Sequence, residues 1–153
     1  DTFVYQEGVA VGAVATAAQV ATANGVDIIT DFANGSGADV LNVSALLRTN
    51  NGGANGISFV AQTNGESKAG YNIVVLTDSD GVTRDETGID ALIANNSNNT
   101  GSGIIIFDNE ATVEVWYDAV MGTANGASDV TLIGTLSGTG LADLGNLTAA
   151  NFI

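Results

Sequence analysis

Short segments of alternating or continuous apolar residues dominate the chain, and they predict a mainly β protein. Alternation of apolar and polar residues is typical of strands with one buried face. In the second such segment, Val26, Ile28 and Phe32 occupy alternate positions and so share one parity, that is, one face of a strand; Thr30 interrupts this apolar series. Two aspartates lie on the other parity. Segments of this kind lie at residues 2–5, 26–32, 40–43, 57–62, 71–77, 104–107, 112–117 and 130–136.

Residues 73–76 are apolar without alternation, in the order Ile-Val-Val-Leu. A continuous run of β-branched residues is typical of a strand that is buried on both faces. Residues 104–107 and 112–117 predict a hairpin about the polar residues 108–110. On its second strand the core-facing parity consists of Val113, Val115 and Tyr117. Trp116 lies on the polar parity, where it is either an exposed contact residue or the edge of the core.

Two stretches favour helix. Residues 85–94 combine Thr87 and Asp90 at the spacing of a capping box with an amphipathic i, i+3, i+4 pattern, formed by Ile89, Leu92 and Ile93. Residues 9–23 are rich in alanine, which favours helix, but they also contain valine, threonine and glycine, which oppose it. The second stretch therefore stays open between helix and loop.

The pattern as a whole predicts a mainly β, β-sandwich-like fold with one or two short helices. Residues 49–56 have the sequence TNNGGANG, which is the clearest linker in the chain. This linker divides residues 1–50, a segment with a candidate calcium turn, from residues 51–153, a β-rich carboxy-terminal part. At 153 residues, one domain or one domain with a small cap is expected.

Carboxylates gather about the glycine-rich turn that follows residue 32. Residues 34–42 fit the calcium-binding nonapeptide G-G-x-G-x-D-x-U-x, except that Asn34 replaces the first glycine. Calcium takes six to eight oxygens from carboxylates, amides and backbone carbonyls. The candidate ligands are therefore Asp27, Asp31, Asn34, Gly35, Gly37 and Asp39, the glycines through their carbonyls. The alternative is a glycine-rich hairpin turn with solvated aspartates.

A second acidic turn, Asp78-Ser79-Asp80-Gly81, resembles the start of an EF-hand loop. Asp78 and Asp80 are therefore also candidate calcium ligands. The twelfth position of such a loop would be Ile89, where calcium requires a glutamate, so an acidic surface turn is the favoured interpretation.

Composition excludes several classes of function. Seventeen acidic residues against three basic ones give a net charge of −14, which would repel nucleic acids and anionic lipid surfaces and attract divalent cations. Cysteine and histidine are absent, so disulfides, thiolate metal sites and Ser–His or Cys–His catalysis are excluded. A carboxylate pair such as Asp108 and Asp118 remains conceivable, but the chain is not expected to be an enzyme. No apolar run is long enough for a membrane span.

Several short motifs resemble one known family. They are D-T-F-V-Y at residues 1–5, D-I-I-T-D-F at 27–32, D-V-L-N-V-S-A-L at 39–46, W-Y-D at 116–118, L-I-G-T-L at 132–136 and L-T-A-A-N-F at 147–152. Together they resemble the carboxy-terminal region of repeat-in-toxin (RTX) proteins, calcium-binding proteins exported by type I secretion, and in particular the surface-layer members. Asn42 departs from the aspartate that is usual at its position in the family, and upstream tandem repeats are missing.

The resemblance implies an extracellular location on a bacterial cell surface, calcium as cofactor, and closure of a β-roll by residues 1–50. It implies a structural module that self-assembles into a surface layer or filament, as a homo-oligomer or polymer. The alternative is a carboxy-terminal secretion and folding cap of a larger exported enzyme or toxin. The start at Asp1 within D-T-F-V-Y suggests that further polypeptide precedes it.

Overall fold

A computed structural model describes residues 1–6, 8, 14–33, 39–48, 56–63, 68, 70–77, 84–94, 101–110, 112–122, 129–137 and 144–153. Among these residues the structure is mainly β, with 37% strand and 18% helix, as the sequence predicts. The described part of the chain contains the helices α1 (Ala17–Asn24) and α2 (Glu86–Ala94), and a 3-10 turn (Ala149–Asn151) precedes the last two residues.

A six-stranded mixed sheet forms the centre of the molecule. Its order is β2-β8-β7-β6-β5-β4, and only β7 runs antiparallel to its neighbours. The strands are β2 (Asp27–Ile29), β4 (Phe59–Gln62), β5 (Ile73–Leu76), β6 (Gly103–Asp108), β7 (Val113–Asp118) and β8 (Val130–Leu136). The hairpin predicted about residues 108–110 is confirmed as β6–β7, and Glu110 turns the chain there with φ of 65°.

Both faces of this sheet are covered, which explains the unbroken apolar run of β5. Its four residues are fully buried, and alternate side chains enter two different clusters. On one face α2 closes a cluster that we call the α2 layer, consisting of Val74, Leu76, Ile89, Ile93, Ile105, Phe107, Trp116, Met121 and Val130. The helix predicted at residues 85–94 is thus confirmed, one residue shorter at its start.

The opposite face carries the larger core, to which both ends of the chain contribute. A two-stranded parallel sheet of β1 (Thr2–Val4) and β3 (Val40–Asn42) packs there, and Phe152 adds a parallel bridge to Leu41. The ring of Phe152 lies 5.5 Å from that of Phe59 in β4. Residues from both predicted parts, 1–50 and 51–153, therefore share one core.

The alanine-rich stretch forms α1, which begins eight residues later than the predicted segment. Thr16 and Gln19 make a reciprocal capping box: the Thr16 hydroxyl accepts from the Gln19 amide, and the Gln19 side chain accepts from the Thr16 amide. Gly25, with φ of 66°, ends the helix. The capping box supplies the start signal that composition alone does not.

The predicted parity of the segment at residues 26–32 is partly wrong. Ile29 is buried at 3% exposure, whereas Ile28 is 71% exposed and Val26 is 51% exposed. Phe32 is buried as predicted, and Asp27 is exposed. The strand β2 covers only Asp27–Ile29. Phe32 therefore lies beyond the end of β2, and the alternation of faces within β2 does not extend to it.

Candidate functional site

The aspartate of the nonapeptide, Asp39, is hydrogen-bonded to Ala33 and to Asp1. The Asp39 amide donates to the Ala33 carbonyl at 2.9 Å, and its Oδ2 accepts from the Ala33 amide at 2.8 Å. Its Oδ1 accepts from the amino group of Asp1. The bond from the Asp1 amino group is the main reason why the pKa of the Asp39 carboxyl lies below its usual range. The bond from the Ala33 amide lowers this pKa further. Asp39 is therefore an ionised carboxylate at neutral pH.

The other candidate ligands are less completely placed. Asp27 and Asp31 are exposed near β2. Asn34, Gly35 and Gly37 lie outside the described residues, as do Asp78 and Asp80. Within the ranges that are described, no three side chains of aspartate, glutamate, histidine or cysteine form a group that could hold a metal ion. The oxygen donors at this turn suit calcium in kind, but the described residues do not assemble them into one site.

A second group of carboxylates lies in the interior, and the sequence pattern did not reveal it. Asp118 at the end of β7 is fully buried, and Asp90 on α2 is 2% exposed. Burial is the main reason why the pKa of Asp118 is raised to about 7, and Asp90 and Asp129 raise it further by repulsion, against a hydrogen bond from the Val120 amide. The available signal was the position of Asp90 directly after the core residue Ile89.

Asp108 and Asp118, the two carboxylates considered for catalysis, lie far apart. Asp108 stands opposite Val113 at one end of the β6–β7 ladder, and Asp118 stands opposite Gly103 at the other. Five residues of strand separate them by about 17 Å. Two carboxylates at that separation cannot act on the same bond.

Trp116 is part of the interior and not an exposed contact residue. Its side chain is 4% exposed within the α2 layer, and its Nε1 donates to Glu114 Oε2 at 2.9 Å. Asn109 Nδ2 donates to the same oxygen at 3.0 Å. Burial raises the pKa of Glu114, while these two hydrogen bonds act in the opposite direction. Glu114 thus satisfies the indole, which explains why a tryptophan occupies the polar parity.

The phenol of Tyr5 is a further buried polar group. It is 1% exposed and packs on β8 at Gly134, where a Cβ would stand 2.5 Å from the phenol oxygen. Burial, followed by repulsion from Asp27, raises the pKa of Tyr5 to about 12. The hydroxyl makes no hydrogen bond to any part of the chain that is described. The Tyr5 side chain therefore contacts β8 by packing, while its backbone amide donates to the Asn42 carbonyl at 2.9 Å.

Three strands border a single neighbour in the described structure. β2 borders only β8, β1 borders only β3, and β4 borders only β5. Apolar side chains at β1 and β2 face solvent, namely Val4, Val26 and Ile28. Exposed edges with apolar side chains favour pairing with another strand.

Comparison of the chain with protein-family models, with curated proteins and with solved structures finds no match. The similarity to RTX carboxy-terminal regions consequently rests on the motifs alone. None of the helices in the described ranges is long and apolar enough to cross a membrane.

Proposed function

We propose that the chain is an extracellular structural module that assembles with copies of itself, and that calcium stabilises the assembly. The observation that carries this proposal is the open edge of β2, where apolar side chains and backbone polar groups both face solvent. The resemblance of the terminal motifs to surface-layer RTX proteins supports the extracellular setting and the choice of calcium.

The backbone of β2 alternates between its neighbour and the open side. The Ile29 carbonyl accepts a hydrogen bond from the Ser137 amide at 2.7 Å, so the polar groups of Ile29 point toward β8. The adjacent residue of a strand directs its polar groups to the other side. The N–H and C=O of Ile28 are therefore directed to the open edge, where an added strand would satisfy them.

The strand that we propose for this edge is β1 of a second copy. β1 has three residues, one neighbouring strand and an exposed Val4. Pairing of β1 with β2 joins two different surfaces, so the contact is head-to-tail. Such contacts propagate into filaments or layers unless the rotation between subunits closes a ring. The geometry of the two edges thus favours a polymer over a closed dimer.

Charge explains the role proposed for calcium. A net charge of −14 makes copies repel one another, and salt screens this repulsion only beyond about 8 Å at physiological ionic strength. Asp27 belongs to β2 and Asp31 follows it closely, and both are exposed. Calcium bound to these carboxylates would remove repulsion at the contact.

Assembly is tested with the substitution Ile28→Asp. We expect the native chain to form polymers in millimolar calcium and to dissociate in chelator, as followed by light scattering and negative-stain imaging. Ile28→Asp should abolish polymers because it adds a charge to the edge that must be covered. Ile57→Asp is the matched control, since Ile57 is also exposed but lies outside β2, and it should still assemble. A native chain that stays monomeric in calcium would favour the secretion-cap alternative.

Calcium binding is tested separately with Asp31→Asn. Because Asp31 is exposed, its loss should change the stability of the metal-free protein by no more than about 0.5 kcal/mol. In calcium, the variant should need roughly tenfold more calcium for the same rise in Tm, a difference of about 1.4 kcal/mol in binding free energy. Thermal unfolding across a calcium titration measures both quantities. An unchanged calcium dependence would exclude Asp31 as a ligand.

A further inference from the structure

The interior carboxylates Asp118 and Asp90 lie on facing elements and are independent of the proposed assembly edge. Asp118 has the same strand parity as Trp116, whose side chain belongs to the α2 layer. Asp90 follows Ile89 and precedes Ile93 by three residues, and both isoleucines also belong to that layer. Two carboxyl groups are therefore enclosed where α2 packs on the sheet.

The hydrogen bonding of Asp118 satisfies only half of its carboxyl group. Oδ1 accepts from the Val120 amide at 2.7 Å, but Oδ2 has no hydrogen-bond partner among the residues described. An ionised carboxylate in such a place loses its hydration without replacement, which is strongly unfavourable. A second buried carboxylate nearby adds repulsion, so a single proton on Asp118 removes both penalties.

Among the described residues, the two charged groups that act on Asp118 are both acidic. Asp90 approaches from α2, and Asp129 approaches from the residue before β8. Glu114, Glu86 and Arg84 lie at the opposite end of the layer, where Asn109 joins the backbone of Arg84 to the Glu114 side chain. Lys68 is buried beside Tyr71, but it is not among the groups that act on Asp118.

We propose that the enclosed carboxyl groups of Asp118 and Asp90 make the packing of α2 on the sheet sensitive to pH. In acid, Asp118 takes up a proton from water and the helix packs tightly against β7 and β8. As the pH rises, Asp118 returns the proton to water, two enclosed carboxylates repel each other, and the packing of α2 weakens.

The direction of the pH dependence follows from the two states of Asp118. Its pKa is 3.8 in an unperturbed chain and about 7 in the folded protein, chiefly because of burial. Between these values the folded state holds more protons than the unfolded state, so stability falls as the pH rises from about 4 to about 7. One such group changes the unfolding equilibrium by at most about tenfold per pH unit, and the effect ends above its folded pKa.

The test compares the native chain with Asp118→Asn and Glu86→Gln, in chelator, from about pH 5 to about pH 8. Asparagine keeps the acceptor for the Val120 amide and removes the charge. We expect the unfolding equilibrium constant of the native protein to rise by at least tenfold across this range relative to Asp118→Asn. Glu86→Gln removes one charge from an exposed position of the same helix and should retain the native pH dependence. Equal pH slopes in the native and Asp118→Asn proteins would overturn the proposal.

Two further measurements keep the test decisive if Asp118→Asn folds poorly. Carbon NMR of the native side-chain carboxyls should show Asp118 titrating near neutrality, and Asp90→Asn should lower its midpoint. Hydrogen exchange of the α2 backbone amides, corrected for the intrinsic pH dependence of exchange, should be faster at alkaline pH because the helix is less tightly packed there. An Asp118 carboxyl that titrates near its ordinary pKa would overturn the proposal. So would full restoration of alkaline stability by calcium, because that result would identify a cation site.

Discussion

The Val115→Asp variant is expected to accumulate as unfolded, insoluble protein. Val115 is fully buried in the middle of β7, between Ile106 on one side and Gly134 on the other. An aspartate there would lie in the larger core without a partner, and an uncompensated buried charge costs several kcal/mol. The total stability of a domain is only about 5 to 15 kcal/mol. A loss of that size removes most of it.

Ile28→Asp provides the matched control for this experiment. It introduces the same side chain into a strand of the same sheet, but at a position that is 71% exposed. We expect this variant to remain soluble, with a far-ultraviolet circular dichroism spectrum like that of the native chain. The soluble yield and the Tm of the Val115→Asp and Ile28→Asp variants are compared to distinguish the buried position from the exposed one. A folded Val115→Asp protein with a native Tm would mean that position 115 is not enclosed in the larger core.

The burial of Val115 was predictable because β7 alternates cleanly. Its odd-numbered residues enter the larger core, and the even-numbered residues face the α2 layer. The continuous apolar run of β5 and the spaced isoleucines of α2 were equally informative. In each case the local pattern had one consistent solution, and the sheet with two covered faces satisfies it.

The parity of β2 was not predictable in the same way. Its segment has apolar residues on both parities, Val26 and Ile28 against Ile29, so periodicity gives two solutions. The register of β2 beside β8 decides between them, and it places Ile29 opposite Leu136. That pairing joins residues more than a hundred positions apart. Local sequence carries no signal for such a contact.

In the candidate sites, too, local features were predictable from the sequence and features that depend on tertiary packing were not. The role of Asp39 at a turn was visible in the sequence, since its neighbours favour tight turns, and its bonds to Ala33 agree with this. The enclosure of Asp90 and Asp118 was not visible. Each is an ordinary acidic residue within its own element, and only the packing of α2 on β7 and β8 removes both from water. Burial of this kind is a property of tertiary structure.

The second large effect is expected at Gly103, the first residue of β6. A Cβ at this position would stand 1.7 Å from Met121 Sδ and 2.6 Å from the Asn72 carbonyl oxygen. The methionine side chain is flexible and can move away. The Asn72 carbonyl cannot, because it accepts the Ile104 amide at 2.8 Å where β5 and β6 begin their pairing. Alanine therefore forces these strands apart at their first hydrogen bond.

We expect Gly103→Ala to destabilise the protein by about 3 kcal/mol, which is at the upper end for overpacking. In a chain of this length that loss lowers Tm by roughly 6 to 12 °C. Gly56→Ala is the control, because a Cβ at Gly56 meets nothing within 4 Å, and its Tm should stay close to native. Adding Met121→Ala to Gly103→Ala separates the two clashes. Because the carbonyl contact remains, the double variant should stay below the stability of Met121→Ala alone; equal stability would assign the whole effect to the methionine.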